Sequence, residues 1–462
     1  MVDPAQVTGA ARFDSDLKPP GTLHAAFLRC PHAHARVTSL YASAAEKMPG
    51  VKSVRLLKKP GAEILWALDE VAIVAAVSEE RAGDAVRAIA VQYEVLPHAI
   101  EVRLGLEAPE QEPDAALAAV PIRFKGTYKL PAVARLGLEP RGGVCIGTDA
   151  GAAPWELACA EAARAARAPV KLVLERAAEI AVGGGDPAVI AQVELGASAD
   201  GKLAVWLSRS FSSGGPGDLQ LPHLFTVPDQ RHRHTAVATN TAPQAPSINQ
   251  ACFFTMTALD DLAALLAMNP VDFFLLNLGL AGAVEKDSVE AIEIADRLMG
   301  WRQRWHARGD AGKRSVRRGL GLSLGGGVQM ADVAVDVETG LVRVVKLVAV
   351  QDRAPEADAK EAEGRLRDHL ALGVSRALCE EKVFDPVTGR PLGGDFESYK
   401  IAGLRDAGEL VIHLKTGAGK PLESAPEAAI GNAVANAIGV RVASLPLTPE
   451  RVLDALEKGK PA

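Results

Sequence analysis

Cysteine is scarce in this chain of 462 residues, which contains only Cys30, Cys145, Cys159, Cys252 and Cys379. No two of them have the C-x-x-C spacing, which argues against a zinc ribbon or an iron–sulfur cluster held by this chain. An odd number of cysteines at low density is typical of reduced thiols, and we therefore expect a cytoplasmic protein.

The sequence also lacks long apolar runs. No uncharged apolar stretch reaches the roughly 18 residues that span a bilayer. The N-terminus shows neither the basic nor the apolar region of a signal peptide. The clearest apolar stretches, residues 71–77 and 345–350, have the length of a strand and are bounded by charged residues. We expect both to be buried strands, and we expect no membrane association.

Aromatic residues and net charge are low as well. Aromatic residues make up 4% of the chain, so the core must be built from Ala, Val, Leu and Ile. With 51 Lys and Arg against 57 Asp and Glu, the formal net charge is −6, whereas nucleic-acid-binding proteins normally carry a basic surplus. We therefore expect no binding to nucleic acid. Because 48% of the residues are hydrophobic, we expect a globular protein, and its length predicts about three domains or subdomains.

Residues 21–98 show the pattern of one α+β unit. The apolar pattern predicts strands at residues 23–28, 35–40, 51–57, 71–77 and 91–96. Helical spacing predicts a short helix at 43–47 and a longer one at 79–89. The Pro- and Glu-rich stretch 106–116 is typical of a linker.

Two further regions are predicted beyond this stretch. The first contains a helix at 156–167, a strand at 170–175, a glycine-rich turn at 183–186 and paired strands at 188–195 and 202–210. It ends in a helix over 259–267 capped by Thr257 and a helix over 271–278 restarted by Asn269 and Pro270. The second contains helices at 289–299, 357–379, 428–438 and 449–458 and strands at 331–337 and 342–350.

Ser323 lies in a G-x-S-x-G pattern at residues 321–325. A nucleophile elbow needs a strand before the serine and a helix after it. Further glycines and a strand pattern follow Ser323 instead, so we interpret the segment as a turn between strands, with a serine hydrolase as the alternative.

Residues 417–420 (GAGK) resemble the end of a phosphate-binding loop. The full pattern fails at two positions, because Leu414 replaces its first glycine and Pro421 replaces the Ser or Thr that binds Mg²⁺. We therefore expect no nucleoside triphosphate site in this segment.

Two pairs of histidines are spaced two residues apart, His32 with His34 and His232 with His234. On a strand, both members of such a pair face the same side, where they are able to hold a metal. No third ligand is evident near either pair, so we interpret both pairs as parts of solvated loops beside strands.

Two charged clusters have simple interpretations. Asp260 and Asp261 fall where we expect a helix to start, so we assign them to the helix dipole. Residues 313–318 (KRSVRR) form a short basic patch in an acidic chain, and we interpret them as a solvated surface turn.

Several segments match the motifs of one protein family in the order in which the family has them. They are VTGAARFDSDLKPPGTLHAAFLRCPHAHARV (7–37), QYEVLPH (92–98), LEPRGGV (138–144), ACAEAARAARAPVKLVLER (158–176), TALDDLAALLAMNPVDFFLLNL (257–278) and LPLTPERVLDAL (445–456). Together they resemble the molybdopterin-binding large subunit of the xanthine dehydrogenase/aldehyde oxidase family, the molybdenum hydroxylases. The variant is most similar to the bacterial aldehyde or isoquinoline oxidoreductase type.

The resemblance implies an α+β fold in two parts. The first is the family's "hammerhead" α+β domain over residues 1–105, followed by a linker at 106–119. The second is a truncated molybdopterin-binding α/β domain, which we expect to divide into subdomains at 120–285 and 286–462.

The cofactor-binding motifs implied by the resemblance are degenerate in this chain. The family's GGxFG loop is absent before the helix at 156–167, and Arg141 replaces a histidine in LEPRGGV. The FRAPGxP segment reads PQAPSIN at 243–249, where Gln244 takes the Arg position and Ser247 the Gly position. Gly326 lies where a long glycine-rich stretch of the family is missing. We identify no metal ligand.

The catalytic position implied by the resemblance is altered too. The family has a general-base glutamate in a GxGE segment, and an ungapped alignment places Lys420 there. Glu423 takes the position only if a gap is allowed. A lysine with its ordinary pKa of about 10.4 is protonated at pH 7 and does not accept a proton.

These substitutions predict a cofactor-free, catalytically inactive family member with a structural or assembly role beside an active paralogue. The alternative is an active oxidoreductase that binds molybdopterin cytosine dinucleotide, uses Glu423 as base and hydroxylates an aldehyde or N-heterocycle. That alternative requires partner subunits with iron–sulfur and flavin sites, because this chain contains no cluster motif. An oligomer is compatible with both hypotheses.

Overall fold

Helices and strands contribute about equally to the computed structural model, which describes residues 5, 8–102, 114–137, 139, 141–146, 153–310, 312, 314–417 and 425–459. Helix accounts for 31% and strand for 30%, and the predicted α+β class is confirmed. Within these ranges the strands form sheets of five, four, four, three and two strands.

The elements are numbered in chain order. The strands are β1 (Leu23–Arg29), β2 (Ala35–Tyr41), β3 (Val51–Leu56), β4 (Glu63–Ile64), β5 (Glu70–Ala76), β6 (Ala90–Val95), β7 (Ile122–Leu130), β8 (Val133–Ala134), β9 (Gly142–Cys145), β10 (Val170–Val173), β11 (Gly185–Asp186), β12 (Val189–Ala197), β13 (Leu203–Ser213), β14 (Asp229–Val237), β15 (Val316–Leu324), β16 (Gly327–Asp336), β17 (Val342–Arg353) and β18 (Glu409–Thr416). The α-helices are α1 (Ser43–Glu46), α2 (Glu79–Arg87), α3 (Ala115–Ala118), α4 (Pro154–Ala166), α5 (Arg176–Val182), α6 (Ile248–Leu265), α7 (Pro270–Asn277), α8 (Glu285–Met299), α9 (Trp301–Arg304), α10 (Ala359–Leu378), α11 (Pro426–Ile438) and α12 (Pro449–Lys458). Two 3₁₀ segments are Asp14–Asp16 and Leu278–Val284.

The N-terminal strands and helices follow the predicted pattern. The five predicted strands and both helices are present, and β4 is an additional short strand. β5 has a continuous apolar sequence because it lies between β3 and β1 and is buried on both faces. β2 pairs instead with β4 and β6 in the three-stranded sheet.

The five-stranded sheet takes two of its strands from later in the chain. Its order is β3–β5–β1–β10–β9, and β10 pairs in parallel with β1. Leu23 and Ile73 share one buried cluster with Cys145, Cys159 and Val170, so α4 covers this sheet. The sheet therefore contains strands from both sides of the segment 106–119 that we expect to be a linker.

A four-stranded sheet in the order β14–β13–β12–β7 follows. The predicted pairing of 188–195 with 202–210 is confirmed by the antiparallel register of β12 and β13. The predicted glycine-rich turn at 183–186 is wrong in part, because Gly185 and Asp186 form β11 and pair with β8. A Cβ at Gly185 would lie 1.9 Å from Val133 O, so glycine is needed for this close approach.

Helix α6 begins eleven residues before the predicted helix at 259–267, and the predicted cap at Thr257 is wrong. Every side chain of α6 from Gln250 to Ala263 is buried. A helix that is buried all round lacks the one-sided apolar periodicity by which a surface helix is recognised. Ser247 caps α6 instead, whereas Asn269 caps α7 as predicted, its Oδ1 accepting from the Val271 N–H at 3.0 Å.

The C-terminal sheet has the order β15–β16–β17–β18. Helices α8, α10 and α11 pack against it, and the largest buried cluster joins its apolar side chains with those of α6 and of the β14–β13–β12–β7 sheet. β15 is not among the predicted strands, because its glycines Gly319 and Gly321 interrupt the apolar alternation.

Strand β15 lies at the edge of this sheet, where side chains of α11 bond its outward backbone groups. The Leu320 N–H donates to Asn436 Oδ1 at 3.0 Å, and Asn432 Nδ2 donates to Leu322 O at 3.0 Å. An uncovered edge strand is a template for pairing with another chain. The two asparagines close this edge.

Gly319 and Gly321 let the backbone of α11 lie directly on β15. A Cβ at Gly319 would lie 2.2 Å from Ala433 O, and a Cβ at Gly321 would lie 2.1 Å from Ala429 O. No side chain fits in either gap, so this contact depends on glycine at both positions.

No single helix among the described residues is long and apolar enough to cross a membrane. Helix α6 and the stretch Pro270–Gly282 meet the requirements of length and composition only together, and the chain bends by 112° between them. Most side chains of α6 are buried in the core.

We expect G321A to lower the free energy of unfolding by about 3 kcal/mol, because the added methyl pushes α11 off β15. The matched control is G364A in α10, where nothing lies within 4 Å of the added Cβ. G364A should raise stability by about 0.5–1 kcal/mol, because alanine favours helix. Urea unfolding measures both changes, and a G321A protein as stable as the parent would contradict the close contact.

Candidate functional site

Ser323 occupies β15, and its G-x-S-x-G pattern turns directly into β16. The interpretation as a turn between strands is wrong for residues 321–324, which belong to β15, and holds only for Gly325 and Gly326 before β16. A strand follows the serine in this described hairpin, and not the helix that a hydrolase needs. The Ser323 side chain is 0% exposed. A serine enclosed in this way is not a hydrolase nucleophile.

His232 and His234 share one face of β14, as their spacing predicts for a strand, so the interpretation as a solvated loop is wrong. His232 Nδ1 lies 2.7 Å from Ser208 Oγ, and His234 Nδ1 lies 2.8 Å from Ser210 Oγ. Burial lowers the pKa of both histidines. In the parts of the chain that the structure describes, no three His, Cys, Asp or Glu side chains are arranged to hold a metal.

His32 and His34 lie in the loop before β2, as predicted. His34 Nε2 is 2.7 Å from Glu63 Oε1 and its Nδ1 contacts Pro97 O. These contacts, the Pro97 carbonyl first, raise the pKa of His34. The His32 ring packs edge-on against Tyr93 at 5.6 Å between centroids.

Asp260 and Asp261 lie inside α6 and not at its start, so the assignment to the helix dipole is wrong. Arg308 donates to Asp261 Oδ1 at 2.6 Å and to Asp260 Oδ2 at 2.5 Å. Arg441 donates to the same two oxygens at 3.0 and 2.8 Å, and Tyr128 Oη donates to Asp261 Oδ2 at 2.8 Å. Two guanidinium groups thus balance two buried carboxylates, as buried charges require.

Gln244 and Ser247, two positions that the resemblance assigns to the cofactor, are held by contacts within the protein. A Cβ at Gly215 would lie 2.2 Å from Gln244 O, so a neighbouring loop lies directly on this backbone. Ser247 Oγ accepts from the Gln250 N–H at 3.3 Å, and Gln250 Oε1 accepts from the Ser247 N–H at 3.1 Å. This reciprocal pair is a capping box at the start of α6.

Gly326, the third assigned position, lies in the tight turn between β15 and β16. Its carbonyl oxygen accepts from Gln351 Nε2 at 2.8 Å. A Cβ at Gly327 would lie 2.4 Å from Val350 O. The glycines of this turn therefore serve the close packing of β16 on β17.

Lys420 and Glu423, the two candidates for the catalytic position, lie in segment 418–424, outside the described residues. Leu138 and Pro140 of the LEPRGGV segment are outside as well. Arg141, which replaces the histidine of that segment, donates to Gly183 O and so takes part in an internal contact.

The start of α6 lies beside two other segments named above. Gln250 Nε2 donates to Pro187 O, just after β11, at 2.8 Å. Cys252 Sγ donates to Leu324 O, just before the β15–β16 turn, at 3.0 Å. The fold therefore brings the segments of Ser247 and Gly326 together at one place. Helix α11 packs against α6, and we call this place the α6–α11 junction.

A group of buried charged side chains that the sequence does not reveal lies on the α11 side of this junction. Arg376 Nη1 is 3.0 Å from Asp186 Oδ2, and Tyr399 Oη donates to Glu380 Oε2 at 2.9 Å. Glu427, in the first turn of α11, is 6% exposed. Burial raises the pKa of Glu427 to about 7, while Arg376 acts in the opposite direction. Such a perturbed carboxyl is a functional-site candidate.

Two further polar side chains lie between the C-terminal sheet and α11. Ser323 and Gln329 are cross-strand partners on the sheet face that α11 covers, and both are 0% exposed. Ser323 Oγ and both amide atoms of Gln329 make no hydrogen bond to the described residues. Leaving such a group unbonded costs about 1–3 kcal/mol, so a ligand or water that bonded them would be stabilised here.

The described residues do not fit a molybdopterin cofactor at the positions that the resemblance assigns to it. Ser247 uses its hydroxyl as a helix cap, the Gly326 carbonyl is bonded by Gln351, and a loop lies against the Gln244 backbone. Ser323 and Gln329 offer hydrogen bonds nearby but are not positions at which the resemblance places the cofactor.

Comparison with known families defines the class of this chain. Two family models, both described as molybdopterin cofactor-binding domains, match residues 143–278 and 248–408. The chain is 25% identical to a nicotinate dehydrogenase subunit of Pseudomonas putida over 347 residues, which is 64% of this chain and 28% of that protein. It is 32% identical to an aldehyde oxidoreductase of Megalodesulfovibrio gigas over 28% of this chain and 15% of that protein.

The fold is similar to that of solved enzymes. Quinoline 2-oxidoreductase of Pseudomonas putida 86 aligns over 99% of this chain and 97% of that chain, with a TM-score of 0.83 and 17% identity. A reconstituted CO dehydrogenase of Oligotropha carboxidovorans aligns over 98% of this chain and 96% of that chain, with a TM-score of 0.84 and 15% identity.

The chain belongs to the xanthine dehydrogenase family of molybdenum hydroxylases, as a homologue of the molybdopterin-binding large subunit. Its matches cover less than a third of the length of each of the two curated relatives.

We expect S247A to lower the free energy of unfolding by about 1 kcal/mol, because alanine leaves the first turn of α6 uncapped. S247G, which restores the residue implied by the family motif, should cost only a few tenths of a kcal/mol, since glycine is tolerated at an N-cap. Urea unfolding measures both, and equal losses in the two variants would argue against a capping role.

Glu427 predicts a pH dependence of stability. Its pKa in the folded protein, about 7, exceeds its ordinary value of 4.5, so the folded state holds this proton more tightly than the unfolded state. Stability should therefore fall as pH rises from 4.5 to 7, by up to about 1.4 kcal/mol per pH unit.

The test is urea unfolding between pH 5 and pH 8 for the parent, E427Q and E450Q. E427Q cannot ionise and should lose this part of the slope. E450Q, at the same position of α12 but exposed, is the matched control and should keep it. An E427Q slope equal to that of the parent would contradict the raised pKa.

Proposed function

We propose that this chain is a cofactor-free, catalytically inactive homologue of the molybdenum-hydroxylase large subunit with a structural or assembly role beside an active paralogue. The proposal rests chiefly on Ser247, which caps α6 where the family motif has a glycine. Gln244 and Gly326 are likewise engaged within the fold.

The residue aligned with the catalytic position supports the same proposal. Lys420 carries a positive charge at its ordinary pKa and cannot serve as a general base at pH 7. Loss of a general base alone lowers a rate by roughly 10²–10⁴-fold. Molybdenum chemistry belongs to the cofactor, and no side chain of the chain replaces it.

An exposed apolar surface supports a role in assembly. Residues 383–404 expose six large apolar side chains, Val383, Val387, Leu392, Phe396, Ile401 and Leu404. Leu404 is 98% exposed and Val387 81%, and apolar side chains that the chain leaves exposed are available for burial against a partner. The nicotinate dehydrogenase relative is named as a subunit, a name that describes part of a larger assembly. We propose a family paralogue, or iron–sulfur and flavin subunits, as partners.

A cytoplasmic location is part of the proposal. All five cysteines lie among the described residues, and none is in a disulfide. Thiols of this kind persist in a reducing compartment.

The second candidate is an active oxidoreductase that hydroxylates an aldehyde or an N-heterocycle. The observation in its favour is the α6–α11 junction, where Ser323 Oγ and the side-chain amide of Gln329 make no hydrogen bond to a described residue and Glu427 has a pKa of about 7. This candidate would need molybdopterin cytosine dinucleotide held by residues other than Gln244, Ser247 and Gly326, with Glu423 as the base.

Molybdenum and pterin analysis of the purified protein separates the two candidates. We expect a molybdenum content far below one atom per chain and no reduction of dye with a panel of aldehydes and heterocycles. Co-purification of a second family subunit would support the assembly role. Near-stoichiometric molybdenum would overturn the proposal, and reduction of dye with one of these substrates would establish the second candidate.

A further inference from the structure

Two arginines converge on one buried carboxylate at the outer face of the C-terminal sheet. Arg318 Nε donates to Asp332 Oδ1 at 2.9 Å, and Arg304 and Arg318 both donate to Asp332 Oδ2. The Asp332 side chain is 2% exposed, whereas those of Arg304 and Arg318 are 39% and 50% exposed. The Asp332 carboxylate is therefore buried beneath the two guanidinium groups, which reach solvent.

This group carries more positive than negative charge. One carboxylate neutralises one of the two guanidinium groups, so one positive charge remains. Arg304 Nη1 also donates to Met299 O, at the last residue of α8, at 3.2 Å. Arg318 Nη1 makes no hydrogen bond to any described residue, so Arg318 keeps donors for another acceptor.

A cleft lies in front of these side chains, lined by Arg304, His306, Arg318, Gly319, Leu320 and Asp332. His306 Nε2 lies 3.0 Å from Arg318 O and holds the segment after α9 against β15. The predicted surface turn at 313–318 is wrong for its last three residues, which begin β15, while Lys313 lies outside the described residues. Successive side chains of a strand point to opposite faces, so Arg318 faces the cleft and Arg317 faces the other side of β15.

We propose that this cleft binds a tetrahedral oxyanion of the class of inorganic phosphate or a phosphate monoester, with Arg318 as its principal ligand. Asp332 takes Nε and one N–H of Nη2 of Arg318. The Nη1 N–H groups and the second N–H of Nη2 form an outer fork, and such a pair of parallel donors matches phosphate oxygens. The buried Asp332 carboxylate fixes the orientation of this outer fork, so little ordering remains for the anion to impose. The site is independent of the α6–α11 junction.

Isothermal titration calorimetry of the full chain in low-salt buffer tests this with two probes, inorganic phosphate and phenyl phosphate. We expect saturable binding at one site and a loss of affinity of about tenfold in R318Q, the worth of one or two charge-assisted hydrogen bonds. R317Q makes the same change of charge at the neighbouring residue, whose Nε donates to Arg314 O, and should bind like the parent. Tighter binding of phenyl phosphate than of phosphate supports a monoester as ligand, and equal binding supports the free anion.

Absence of saturable binding, or an equal loss in R317Q and R318Q, overturns the proposal. If R318Q does not fold, R318K carries the test, because lysine keeps a positive charge beside Asp332 but lacks the fork. R318K should bind phosphate more weakly than the parent, and unchanged affinity in R318K overturns the role of the fork.

Discussion

The contact between edge strand β15 and helix α11 is the constraint on which the C-terminal half of the protein depends. Gly319 and Gly321 remove every side chain between the two backbones, and Asn432 and Asn436 then bond the strand's outward groups. α6 and α10 pack against α11, and β16, β17 and β18 extend from β15. A shift of α11 would therefore disturb the helices and the sheet together.

Contacts within the fold also explain how the chain can belong to the family although its cofactor motifs are degenerate. Ser247 and Gly326 occupy positions that the family resemblance gives to a cofactor, yet here they cap a helix and close a turn. Under the proposed function, backbone strain at a cofactor loop would serve no ligand. Residues that cap a helix or close a turn stabilise the fold whether or not a cofactor binds.

Much of the secondary structure was open to prediction from local patterns. The N-terminal strands alternate or run continuously apolar, and Asn269 with Pro270 marks the start of α7, because these signals depend on neighbours within a few residues. The first half of helix α6, before residue 259, was not, since its burial on all sides removes the periodic signal. For the candidate site, the sequence indicated Gln244, Ser247 and Gly326 through a family resemblance, but not Glu427, because its charged neighbours come from distant elements.

The sequence by itself determined the family, the α+β class and the position of most elements, because each of these follows from local periodicity and from motifs in order. Only the tertiary structure decided what the polar residues do. Asp260 and Asp261 look like a helix start in sequence, yet they form a buried cluster of four charges with Arg308 and Arg441. The energy of a buried charge depends on partners that lie far away in the chain, and only folding selects those partners.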